Sequence, residues 1–144
     1  MHLGEAGPGQ LRLLRAYMAG AALPTLFLPF ALAAYYAIRS GLEPMIGLER
    51  LVQFPLALAP LLWGIWNVVW AAQPEQKRLP LGVHGAVVPV VAAPLLVWGC
   101  GWLGVPLPEQ AMAYIGPGVP LTMVLYFVLW RTVVGYLNRL LEVG

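Results

Sequence analysis

The chain has 144 residues, 60% of them hydrophobic and 10% charged, with a mean hydropathy of +0.77 and a formal charge of +2. Soluble domains hold about 45–50% apolar and about 25% charged residues, and a chain of this size leaves roughly 30% of its unfolded surface exposed, so no water-soluble core can hide this much apolar surface. Lipid is the solvent of the fold, which excludes a soluble enzyme and a disordered segment; eight Lys and Arg against six Asp and Glu exclude a nucleic-acid module, and one cysteine, Cys100, excludes an internal disulfide or a cysteine-based zinc site.

A hydrocarbon core of about 30 Å takes about 20 helical residues. Charge-bounded apolar stretches of that length predict four spans in a single transmembrane domain. The first runs from Ala16 to Ile38, behind Arg12 and Arg15. Ala31-Leu32-Ala33 has the small-x-small form of a signal-peptide cleavage site, but the segment is read as an uncleaved helix. Its start, Gln10 to Ala19, carries Arg12 and Arg15 on one side, and the alternative there is an interfacial stub over residues 10–19. The second span covers Leu51 to Ala72, between Glu49-Arg50 and Glu75-Gln76-Lys77-Arg78. The third covers Leu81 to Leu103, and the fourth Val119 to Leu141, after a break at Gly116-Pro117-Gly118. Nothing alternates at period two as a barrel strand would. The expectation is therefore an all-α polytopic membrane protein, a bundle of four transmembrane helices.

With the N-terminus inside, Arg12, Arg15, Lys77, Arg78 and Arg139 fall on the cytoplasmic side and Arg39 and Arg50 outside. That asymmetry predicts a multi-pass protein of the plasma or inner membrane, N-in and C-in, with an outer loop from Gly104 to Gly118 free of Lys and Arg. Prolines recur as Pro-x-x-x-x-Pro at Pro24/Pro29, Pro55/Pro60 and Pro89/Pro94. Each removes a backbone donor and strains the preceding turn, so three helices are expected to be kinked. An internal repeat of two similar hairpins would fit this spacing, as would chance in so Ala-, Leu-, Pro- and Gly-rich a chain. Small residues such as Gly20, Gly64, Ala92, Ala93 and Gly99 suit close helix packing, which in lipid replaces the hydrophobic drive.

Polar residues within the spans are few. Arg131 lies about ten residues beyond Leu121, near mid-bilayer at 1.5 Å per residue, where an arginine either finds a partner or reaches the headgroups along its stem, meeting an anionic lipid. At α-helical spacing, Arg131, Gly135, Asn138 and Glu142 share one stripe. Asn67 and His84 fall in the same cytoplasmic half and complete a candidate ligand-binding site with Arg131. For Asn67 the plainer role is an interhelical hydrogen bond; for His84 it is a cap or a headgroup contact, because no second ligand supports metal binding. Trp63, Trp66 and Trp70, at i, i+3 and i+7, form one helical face, read as a membrane-anchor stripe or a contact for a lipid or other hydrophobic ligand. No carboxylate lies within a span, and no catalytic constellation is present. Neither a metal nor a cofactor is expected, and Cys100 reads as a small packing residue. The functional expectation is a non-catalytic packing or assembly subunit, with the lipid bilayer, copies of itself or other membrane subunits as partners. The alternatives are a small oligomeric channel or transporter for an anionic or polar solute, and a pigment or haem protein using His84.

Overall fold

The computed structural model describes residues 7–39, 58–102, 104 and 109–143. Among these the chain is almost entirely helical and contains no strand. In a bilayer every backbone group must pair within its own segment, and the helix does this without a neighbour. Helix α1 spans Pro8–Arg39, α2 Leu58–Ala72, α3 Leu81–Trp102 and α4 Glu109–Leu129. A π-helical turn, Trp130–Val134, then leads without interruption into α5, Gly135–Leu140. Three stretches are long and apolar enough to cross a membrane: Pro8–Ala34, Leu81–Trp102 and Gly116–Leu140. Helix α2 is a shorter apolar helix; the expected second-span residues 51–57, with Pro55, lie outside the described residues.

Helices α1 and α2 are antiparallel, with Arg12 beside Ala71, Ala16 beside Asn67 and Gly20 beside Trp63. Glycine permits this approach. A Cβ on Gly20 would collide with the Trp63 carbonyl oxygen and come 2.8 Å from the Asn67 Cβ, and one on Gly64 would strike the Tyr17 ring. Helix α3 lies against α4 by the same device, with Gly82 under the Phe127 ring and Gly85 under Trp130. These contacts bear out close approach at Gly20 and Gly64 and add Gly82 and Gly85.

Residues 10–19, for which an interfacial stub was the alternative, are continuous with the rest of α1. Its Ala16 and Ala19 are fully buried against neighbouring helices. The expected break at Gly116-Pro117-Gly118 lies inside α4, which begins at Glu109, well before Val119. Breaking a helix in an apolar setting strands several backbone groups, whereas continuing through Pro117 forfeits one donor. Pro24 and Pro29 likewise lie within α1, and Pro89 and Pro94 within α3.

Two buried clusters hold the pairs together. One joins Trp63, Val88, Trp130 and Val134; the other joins Ala16, Trp70, Ala71 and Val143. Val143 reaches the second through the turn that ends α5: Glu142 takes a positive φ of 54°, and the Val143 N–H returns 2.9 Å to the Asn138 carbonyl. This pattern ends a helix while folding its next apolar residue inward. Large apolar side chains elsewhere, among them Leu26, Phe30, Leu95 and Leu121, face outward, as a lipid solvent allows.

Candidate functional site

Asn67 is buried completely on α2, and its partner is Asn138 on α5. The two amides bond reciprocally: Asn67 Nδ2 donates to Asn138 Oδ1 at 2.7 Å, and Asn138 Nδ2 donates to Asn67 Oδ1 at 3.2 Å. Asn67 Nδ2 also donates to the Ala16 carbonyl at 2.8 Å, so three helices meet at one side chain. An unpaired amide in an apolar interior costs more than a net hydrogen bond returns, which makes the mutual arrangement selective for this packing.

His84 makes a second reciprocal link. Its Nε2 lies 3.0 Å from the Trp66 carbonyl, while Trp66 Nε1 donates to the His84 carbonyl at 2.9 Å. A carbonyl only accepts, so His84 Nε2 carries the proton in this bond. The imidazole stacks on Trp66 with centroids 5.0 Å apart and meets Trp130 edge-on at 6.0 Å. Ligation of a metal or haem through Nε2 would require breaking the Trp66 bond. No group of three or more His, Cys, Asp or Glu that could hold a metal occurs among the described residues.

The tryptophans expected to form a membrane-facing stripe turn inward. Trp63 and Trp70 are buried and Trp66 half-buried. Trp63 contacts Tyr126 edge-on at 4.9 Å and Trp130 at 5.5 Å, and Trp70 Nε1 donates to the Leu79 carbonyl at 2.9 Å. The Trp63 ring is buried between helices, and the Trp70 N–H is satisfied within the protein, which a lipid-facing position would not allow. Trp130 is 0% exposed, and its indole N–H has no hydrogen-bond partner. Trp98 and Trp102, stacked at 6.3 Å near the far end of α3, are the exposed tryptophans. Cys100 is buried.

Arg131 does not join Asn67 and His84. It is exposed on the π turn, whereas Asn138, expected on the same stripe, is buried. The wider π turn advances each residue by a smaller angle than an α-helix. Trp130, Val134 and Asn138 thereby share the inner side, and Arg131 rotates out of the stripe it would hold in a regular helix.

The end of the molecule where α1 starts and α2 stops carries a group that the sequence marked only by its charge. Arg12 Nη2 donates to the Ala71 carbonyl at 3.0 Å, and Arg78 Nη2 reaches the same oxygen at 3.4 Å and the Gln73 carbonyl at 3.1 Å. The Arg78 guanidinium lies 4.6 Å above the Trp70 ring. Nearby, Arg15 and the exposed Glu142 form an ion pair at 3.1 Å, which joins α1 to the turn after α5. Against known proteins, the chain matches no family model, no curated protein and no solved structure.

Proposed function

We propose that the chain is a non-catalytic integral membrane protein that serves as a packing or assembly subunit, associating with copies of itself or with other membrane subunits. In this reading it forms a bundle of four transmembrane helices bent at their internal prolines. Both tails lie on the cytoplasmic side of a plasma or inner membrane. One observation carries the reading: the buried polar side chains are consumed by one another, Asn67 by Asn138 and His84 by Trp66, while large apolar side chains cover the outside. Polar groups serve cohesion in such an interior, and the outer face is left for lipid and for neighbouring helices. Native mass spectrometry after gentle extraction tests this. Oligomers or a co-purifying membrane chain are expected, and a bare monomer overturns the reading.

Arg131 supports a second reading, a small channel or transporter with its path between copies. A charged side chain exposed at membrane depth is expensive in lipid unless it reaches the headgroups or lines a polar path. A path lined by Arg131 would favour an anionic solute. Liposome flux that falls with Arg131→Ala is the expected result for this reading, and no flux in the unaltered protein rejects it. Arg131 at the surface equally suits contact with an anionic lipid headgroup.

A further inference from the structure

We infer that Arg12 and Arg78 together bind one phosphate oxyanion beside the C-terminal end of α2, of the kind carried by an anionic lipid headgroup or by free phosphate. The inference is independent of the assembly reading. The two guanidiniums share one acceptor, the Ala71 carbonyl, at 3.0 and 3.4 Å. A helix C-terminus presents about half a negative charge, which one arginine already exceeds, so capping α2 leaves the second guanidinium surplus. No ion pair to either arginine forms among the described residues: Glu142 is taken by Arg15, and Glu75 is exposed and unpaired.

Both arginines also retain unused donors. The Nε atoms of Arg12 and Arg78 are buried without a hydrogen-bond partner. Their positions are held: Arg78 is fixed between the Gln73 carbonyl and the Trp70 face, and Trp70 is itself tied to Leu79 at 2.9 Å. Two half-buried cations held on one neutral acceptor repel each other until an anion lies between them, and guanidinium with phosphate is among the stronger charge-assisted pairings. The site lies at the start of Pro8–Ala34, a stretch long and apolar enough to cross a membrane, and basic pockets between spanning helices take anionic lipids.

The test follows thermal unfolding of the full chain in neutral detergent by tryptophan fluorescence. Short-chain phosphatidylglycerol, phosphatidylcholine and inorganic phosphate are titrated separately. Phosphatidylglycerol is expected to raise the midpoint saturably. The Arg12→Gln/Arg78→Gln variant is expected to need about tenfold more lipid or to show no shift, whereas Arg139→Gln responds as the unaltered chain does. A shift with phosphatidylglycerol alone assigns the oxyanion to a headgroup, and an equal shift with inorganic phosphate assigns it to the free ion. Equal shifts in the unaltered and double variants overturn the inference, as does no shift with either anion or an equal response to phosphatidylcholine. Should the double variant fail to fold, Arg78→Gln alone provides the same comparison through the phosphorus-31 resonance of phosphatidylglycerol.

Discussion

The buried amide pair concentrates interhelical selectivity in two side chains. Removing one amide leaves the other buried without its partner. Asn67→Leu and Asn138→Leu are each expected to destabilise the fold by about 1–2 kcal/mol, and the double replacement by clearly less than their sum. Reversible unfolding in mixed micelles, read as a double-mutant cycle, measures the coupling, and additive losses would contradict the reciprocal bond. Glycine supplies a steric counterpart. Gly20→Ala drives a methyl group into the Trp63 backbone carbonyl, which cannot yield as a flexible side chain can, so α1 must move away from α2. Overpacking of this kind costs about 1–3 kcal/mol. Gly101→Ala meets nothing within 4 Å and is the matched control, expected to be neutral or slightly stabilising.

At the scale of one element, the π turn decides what the last helical segment presents. It accommodates one residue more than an α-helical turn, keeping Trp130, Val134 and Asn138 inward and turning Arg131 outward. Deleting Thr132, an exposed residue of that turn, should relax it to α-helix with Trp130 and Asn138 still facing the core. Deleting Leu125, exposed in regular α4, should instead rotate everything after it by about 100° relative to what precedes it. The first variant is expected to melt within a few degrees of the unaltered chain and the second far below it. Equal losses in the two would show that the π turn does not set the register. The sequence-based stripe of Arg131, Gly135, Asn138 and Glu142 failed here because 3.6-residue periodicity assumes a regular helix. A one-residue widening has no compositional signature, and it leaves Arg131 exposed while Asn138 is buried.

For the whole molecule, the Arg15–Glu142 pair brings the first turns of α1 and the end of α5 to one end. The proposed N-in, C-in arrangement then predicts a labelling pattern. In a Cys100→Ala background, single cysteines at Gly9, Gln76 and Arg139 should react with an impermeant thiol reagent from the same face of a sealed vesicle, and one at Gly101 from the opposite face. Gly9 and Arg139 reacting from opposite faces would overturn the arrangement. Much of this scale is legible from sequence. Hydropathy and the clustering of Arg12, Arg15, Lys77, Arg78 and Arg139 depend on local content, and they indicate helices, membrane length and a basic end without reference to packing. The start of the fourth helix was less legible, because Gly116-Pro117-Gly118 reads as a break by the propensities of soluble chains, and an apolar solvent reverses that preference.

The amino-acid sequence by itself determined that the fold is helical, that it holds apolar stretches long enough to cross a membrane, and where the basic residues cluster. These are sums over neighbouring residues, so no partner is needed to evaluate them. Only the tertiary structure decided which side of each helix faces inward: that Asn67 meets Asn138 and not Arg131, that Trp63 and Trp70 are core and not anchors, and that Arg12 and Arg78 converge on one carbonyl. Each is a meeting of residues distant in the chain. Helix rotation sets it, and in a membrane, where both faces of a helix are apolar, amphipathic periodicity carries little information about rotation.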